Sequence, residues 1–152
     1  MFGKPAHLKN YDALPQAFRL LNWKCEALPE DMVVRSVVQG DDLPIAVIVK
    51  MDEGFATFRC KLAFEAEGPQ QKDIVWELNK INDQLQFGSF RLDPESGWVA
   101  FHYSLIFGDN KLDAALLANV LKMVVDTVDA HDGALKNLLD SNKEKFRDVM
   151  FL

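Results

Sequence analysis

Three apolar stretches rich in β-branched residues follow one another along the chain with only three residues between neighbours. They span residues 32–39, 43–51 and 55–64, and the intervening triplets are Gly40-Asp41-Asp42 and Asp52-Glu53-Gly54. Apolar, β-branched runs bounded by glycine and aspartate are typical of strands. A parallel crossover needs about a dozen residues or more, so links this short predict antiparallel hairpins.

The alternation of side chains along these stretches predicts which of their faces are buried. In the third stretch Phe58, Cys60 and Leu62 share one side, and Arg59 and Lys61 share the other, which indicates one buried and one wet face. In the second stretch Ile45, Val47 and Val49 lie on one side, and Ala46, Ile48 and Lys50 make the other side partly apolar as well. This pattern favours an interior strand that is covered on both faces.

Helical periodicity appears before, between and after the predicted strands. It predicts helices near residues 12–24, 74–85 and 113–130, with Asp12 as a cap and Pro15 in the first turn of the first helix. A second hairpin is predicted over residues 87–93 and 98–107. Asp132-Gly133 is expected to interrupt the last helix before a helical tail at 133–152. The order α-β-β-β-α-β-β-α predicts a single α+β domain over residues 1–152, with its core at about 12–130 and an antiparallel sheet of about five strands.

The predicted helix at residues 113–130 has an unusually wide apolar stripe. A stripe of this width means that the helix is covered on two sides or exposes a patch for a partner. Both alternatives remain open from the pattern, and the residues of the candidate partner or dimer surface are Leu116, Leu117, Leu121, Val125 and Val128. A homodimer is predicted from this stripe and from the apolar end of the chain.

Composition excludes several classes of function. Hydrophobic residues make up 49% of the 152 residues, as in a globular protein, and the net charge of −6 disfavours nucleic acid and anionic membranes as partners. Cys25 and Cys60 are predicted to be buried free thiols, as in a reducing cytoplasm. No run of 18 apolar residues and no secretory leader pattern occurs, so a cytoplasmic location is predicted.

Catalytic and metal-binding patterns are absent from the sequence. No phosphate-binding, dinucleotide-binding, zinc-protease or nucleophile-elbow motif occurs, and the three histidines are scattered at His7, His102 and His131. We therefore predict no enzyme activity, no cofactor and no metal. The alternative is a small-molecule or catalytic pocket near His102, with Tyr103 and Arg91 converging on it.

The segment at residues 74–107, IVWELNKINDQLQFGSFRLDPESGWVAFHYSLIF, resembles the YbjN family of bacterial proteins, which are described as sensory transduction regulators. The matching positions are Asn79, Asn82, Gly88, Phe90, Gly97, Phe101 and Tyr103. The resemblance implies a fold like that of type III secretion chaperones, with helices on one face of a twisted antiparallel sheet. It also implies a non-enzymatic module, often dimeric, that binds an extended polypeptide client along apolar surface.

Overall fold

The computed structural model describes residues 3–151, with side chains described for residues 3–141. A short 3₁₀ turn at Pro29–Asp31 joins the first two strands. The helices are α1 (Ala6–Leu20), α2 (Gln70–Gln84) and α3 (Ala114–Phe151), and the strands are β1 (Glu26–Leu28), β2 (Val33–Gln39), β3 (Pro44–Asp52), β4 (Phe55–Glu65), β5 (Ser89–Leu92) and β6 (Trp98–Ile106). The predicted α+β class and the predicted hairpins are confirmed.

One six-stranded sheet contains all the strands in the order β1-β2-β3-β4-β6-β5, and every neighbouring pair is antiparallel. The predicted alternation is confirmed along β3 and β4, where every second side chain is buried. Contacts of all three helices with the strands form one core beneath the buried face, which we call the inner face. Its largest fully buried side chains include Phe18, Phe58, Phe101, Ile45 and Leu117.

The first strand was not predicted from the sequence. With only three residues, β1 is too short to show an alternating pattern, and it exists because it pairs with the beginning of β2, Ala27 opposite Val34. An ion pair adds to this pairing, with Arg35 Nε 3.0 Å from a Glu26 carboxylate oxygen. The sheet therefore has six strands where about five were predicted.

Helix α1 begins at Ala6, six residues before the predicted start, so Asp12 is not its cap and Pro15 lies inside the helix. Tertiary contacts explain the earlier start. The fully buried Asn10 donates from Nδ2 to the carbonyl oxygen of Asn110 at 3.1 Å and accepts from the Leu112 N–H at 2.6 Å. These bonds satisfy backbone groups in the loop between β6 and α3, and they fix that loop to α1.

The predicted break at Asp132-Gly133 is wrong, because α3 continues through it to Phe151. Gly133 lies against the turn between β2 and β3, where a Cβ atom would clash with the Asp42 carboxylate. In the same contact the backbone N–H of Asp41 donates to Asp129 Oδ1 at 2.8 Å. Glycine therefore serves here to let a hairpin turn approach the helix, and the lower helix propensity of glycine does not end the helix.

The wide apolar stripe of α3 is covered on two sides, because α3 packs against both α1 and the inner face of the sheet. This corrects the interpretation of the stripe as a partner surface for four of its five residues. Leu117, Leu121, Val125 and Val128 are buried in the core of the chain itself. Leu116, which is 43% exposed, is the member left at the surface.

Candidate functional site: the outer face of the sheet

The face of the sheet opposite the helices, which we call the outer face, carries large apolar side chains in contact with solvent. We expected β3 to be covered on both sides, but within the described residues the chain covers its inner side alone. The exposed fraction is 71% for Val37, 37% for Ile48 and 83% for Ile106. Phe55 and Trp98 on the same face are also exposed. An apolar surface of this kind on a sheet is typical of a site that binds another molecule.

A shallow groove of about 660 Å³ crosses this face near β1, β2 and β3. Ala46 stands between Val37 and Lys61 in the cross-strand register, and its short side chain leaves a depression there. Ile48 and Trp98 line other parts of the groove. The groove can therefore accept an apolar side chain of a partner.

Five cationic side chains share the outer face with this groove. Two of them have carboxylate partners, Arg35 with Glu26 and Lys50 with Asp52, whose nitrogen and oxygen atoms lie 3.0 and 4.0 Å apart. The other three are Arg59, Lys61 and Arg91, and among the described residues none of them has a carboxylate within 4.0 Å. Lys61 Nζ instead lies 3.4 Å from the ring centre of Trp98, a cation–π contact.

His102 lies in the middle of the outer face, opposite Arg59 across β4 and β6. Burial lowers its pKa, and the charges of Arg91 and Arg59 lower it further. Tyr103 points to the inner face, where its ring packs against Phe87 at 5.3 Å between ring centres. The predicted convergence of His102, Tyr103 and Arg91 in one pocket is therefore wrong, because alternation places Tyr103 on the opposite side of the sheet.

Cys25 is exposed beside the groove, which corrects the prediction that both thiols are buried; Cys60 is buried as predicted. Partial burial of Cys25 raises the pKa of its thiol, and the positive charge of Arg19 lowers that pKa by a smaller amount. Burial raises the pKa of Cys60 to about 12. Neither thiol is therefore activated as a nucleophile.

We expect one of the two thiols to react with a thiol reagent in the folded protein. Cys25 is exposed, whereas Cys60 is both inaccessible and protonated at neutral pH. Titration with a chromophoric disulfide should give one fast equivalent and a second only after denaturant is added. A Cys25→Ser variant should lose the fast equivalent, and two fast equivalents in the wild type would contradict the buried position of Cys60.

Asn82 is the residue of the family motif with the clearest structural role. Its side chain donates from Nδ2 to the carbonyl oxygen of Phe90 at 3.0 Å and accepts from the Phe90 N–H at 2.8 Å. Phe90 belongs to β5, the edge strand, so this amide occupies backbone groups that would otherwise be available to another strand. Asn79, the other asparagine of the motif, is exposed.

The other motif residues shape the second hairpin and the aromatic core beneath it. Gly88 has φ 67°, and a Cβ atom there would clash with the Phe101 ring. Phe101 packs edge-on against Phe90 with ring centres 5.1 Å apart, and Gly97 lies in the turn between β5 and β6. These positions support the fold and do not lie in the groove.

We expect Asn82→Ala to lower the free energy of unfolding by about 1–3 kcal/mol, because two hydrogen bonds to the edge strand are lost and its backbone is left unsatisfied. Asn79→Ala, in the same helix but exposed, is the matched control and should change it by less than about 0.5 kcal/mol. Urea unfolding followed by circular dichroism measures both. Equal effects of the two substitutions would mean that the bonds to Phe90 contribute nothing measurable.

One buried carboxyl group lies away from this face, in the contact between α3 and the turn after β2. Asp132 is 1% exposed, and among the described residues its Oδ1 has no hydrogen-bond partner. Burial raises its pKa to about 6, and the nearby carboxylates of Asp129 and Asp42 raise it as well. The free energy of unfolding therefore depends on the protonation of this carboxyl group.

Within the described residues no cluster of histidine, cysteine or carboxylate side chains is arranged to hold a metal ion. Nor does any helix in that part of the chain have the length and apolar character needed to cross a membrane.

The fold and the open face together define a class of protein. An antiparallel sheet with helices on one side and an apolar, cationic surface on the other forms an α+β module with one open sheet face. The chain belongs to the YbjN family, described as "Putative bacterial sensory transduction regulator", whose model matches residues 10–137. No curated protein matches the chain in sequence.

The solved structures that share the fold include the following three. The crystal structure of YbjN, "a putative transcription regulator from E. coli", aligns with a TM-score of 0.62 and 12% identity, covering 88% of this chain and 92% of that one. A chain from the HopA1–SchA chaperone–effector complex aligns with a TM-score of 0.57, 12% identity and coverages of 83% and 94%. An uncharacterised protein from Methanothermobacter thermautotrophicus aligns with a TM-score of 0.56, 14% identity and coverages of 86% and 99%.

Proposed function

We propose that this chain is a non-enzymatic regulatory module that binds a polypeptide segment on the outer face of its sheet. The observation that carries this proposal is the open face itself, on which Val37, Ile48 and Ile106 are exposed. Burying apolar surface contributes about 25 cal/mol per Å², so covering this face stabilises a complex. The proposed place of action is the cytoplasm, where an exposed free thiol such as Cys25 stays reduced.

A polypeptide suits this face better than a small molecule does. Small-molecule sites are concave and enclose most of the surface of the ligand, whereas this groove is shallow and lies open on a sheet. A helix or an extended segment is the element that ordinarily covers an apolar sheet face. The fold shared with a chain of a chaperone–effector complex is in keeping with such a partner.

The proposal is tested with an environment-sensitive dye attached to Cys25, beside the groove. The ligand in this assay is a carboxymethylated, permanently unfolded protein. Adding it in increasing amounts should change the dye fluorescence until the signal saturates. Val37→Ser with Ile48→Ser removes exposed apolar groups from the face and should weaken binding by about tenfold or more. Because both side chains are exposed, this variant should still fold.

The matched control replaces two exposed apolar residues of the helices, Leu20→Ser with Val75→Ser. It should leave the affinity unchanged within about twofold, since these residues lie outside the face. Equal losses in the two double variants, or no saturable signal in the wild type, would contradict the proposed site.

We propose further that the protein is a homodimer formed through the end of α3. That helix continues about a dozen residues beyond Leu139, its last buried residue among those described. The sequence there has Phe146 and Val149 at i, i+3 spacing, with Phe151 as a further apolar residue. Light scattering should give twice the 17.2 kDa chain mass for the full chain and the monomer mass after truncation at Ser141. A monomeric full chain would contradict the dimer.

A further inference from the structure

We infer that the segment bound by the outer face is acidic and amphipathic, with aspartate or glutamate side chains flanking its apolar anchors. This inference rests on the proposed function and specifies the chemistry of the partner. The acidic partner is supported by the charges on the face, by their positions around the groove and by the charge of the whole chain.

The charge of the outer face has the opposite sign to that of the chain. The chain has a net charge of −6, yet the strand positions of this face hold five cationic side chains and three acidic ones. All three acidic groups have partners: Glu26 pairs with Arg35, Asp52 with Lys50, and Glu65 accepts a hydrogen bond from Trp98 Nε1 at 2.8 Å. The exposed Asp93, directly after β5, interacts with Arg59 at longer range than an ion pair. Among the described residues no carboxylate lies within 4.0 Å of Arg59, Lys61 or Arg91, so these three cations remain available to an incoming anion.

The three unpaired cations lie close together in the sheet. Arg59 and Lys61 are two positions apart on β4, which places their Cα atoms about 6.6 Å apart on the same side. Lys61, Ala100 and Arg91 lie side by side on the adjacent strands β4, β6 and β5, so only the small Ala100 separates the two cations. Like charges brought together on a sheet destabilise it unless something neutralises them. The charges of Arg91 and Arg59 also reach His102, where they add to the effect of burial in lowering its pKa.

These cations border apolar surface, and the combination selects an amphipathic partner. In the register Ile48 lies between Arg35 and Arg59, and Ala46 lies beside Lys61. A segment that places an apolar side chain in the groove therefore has cations on both sides of that side chain. Complementary charges of this kind direct binding and exclude wrong partners.

Nucleic acid is the other polyanion that cationic side chains attract, and the observations favour a polypeptide. A phosphate backbone makes no use of the exposed Val37 and Ile48, whereas a polypeptide can bury apolar side chains against them. Oligonucleotide binding is therefore included as an outcome of the test.

The test uses fluorescein-labelled peptides of about 12 residues, long enough to span about 40 Å when extended. The first peptide combines glutamate with leucine, the second has lysine for every glutamate, and the third has serine for every leucine. Oligodeoxythymidine of similar length is the fourth probe. In anisotropy titrations with the full chain, the glutamate–leucine peptide should bind at least about tenfold more tightly than each of the others, and added salt should weaken its binding.

Arg59→Glu reverses one charge of the face and should weaken binding of the glutamate–leucine peptide by about fivefold or more while strengthening binding of the lysine–leucine peptide. Lys72→Glu is the matched control, because Lys72 is exposed on α2 in the helix layer and its reversal changes the net charge equally. It should leave both affinities within about twofold of the wild type. Both variants should show wild-type thermal unfolding.

The outcomes separate this inference from the proposed function. Equal or tighter binding of the lysine–leucine peptide would overturn the acidic partner and leave polypeptide binding intact. Tighter binding of the oligonucleotide, lost in Arg59→Glu, would overturn it in favour of nucleic acid. Equal effects of Arg59→Glu and Lys72→Glu would overturn it by showing that only net charge matters. Failure of all three peptides, with no saturation by the unfolded protein, would refute the proposed function itself.

Discussion

Replacing Asp132 by asparagine is expected to raise the free energy of unfolding at about pH 7.5 by up to about 3 kcal/mol. The carboxyl is 1% exposed, its Oδ1 has no hydrogen-bond partner among the described residues, and its pKa rises from 3.8 to about 6 in the folded chain. The folded state therefore holds a proton that the unfolded state releases between these two values. The stability that the wild type has below pH 3.8 is lost as the pH rises through 6, whereas asparagine avoids this loss.

The pH dependence distinguishes this cause from a general gain in stability. At about pH 3 and below, Asp132 is largely protonated in both states, so the advantage of Asp132→Asn should nearly disappear. Asp126→Asn, an exposed position on the same helix, is the control and should change stability by less than about 0.5 kcal/mol at either pH. Urea unfolding at both pH values measures the difference. A gain of the same size at both pH values would mean that burial of the charge is not its source.

Leu121→Ala is expected to lower the free energy of unfolding by about 2–5 kcal/mol, because Leu121 is fully buried and its truncation leaves a cavity in the core. The sequence left open whether this residue lies in the core or at an interface between copies. If Leu121 lay at an interface instead, its truncation would lower the mass of the assembly and would change the free energy of unfolding of the chain only slightly. Urea unfolding and light scattering on the same samples separate the two effects.

Met123→Ala is the matched control for this substitution. Met123 lies two residues further along α3 and is 50% exposed, so its truncation should change stability by less than about 0.5 kcal/mol. If Leu121→Ala unfolds like the wild type but scatters as a smaller species, its position in the core is contradicted.

The regular parts of the fold could be predicted because their patterns are local. Alternation along β3 and β4 and short turns between strands are properties of neighbouring residues, so the hairpins and their buried sides followed from the sequence. Strand β1 could not be predicted, since three residues hold no period. The continuation of α3 through Gly133 depends on its contact with Asp42, a residue about 90 positions earlier in the chain.

The candidate site was predicted only in part, and for a comparable reason. The apolar second face of β3 was visible in Ala46 and Ile48, but whether another layer covers that face depends on the packing of all three helices. For the same reason, the width of the apolar stripe on α3 could not show whether the chain itself covers the stripe or a partner does. The cluster of Arg59, Lys61 and Arg91 could not be seen at all, because it joins strands through a register that no single stretch contains.

The bonds between Asn82 and Phe90 also limit how copies of this sheet can add to one another. They engage backbone groups of β5, the strand at one end of the sheet, and so oppose its extension in that direction. If only one edge strand of the sheet can pair with another copy, each sheet joins a single further sheet. The resulting pair then has no edge strand available for a third copy. Filaments need two usable ends in every copy, so this side chain keeps any edge-to-edge assembly finite.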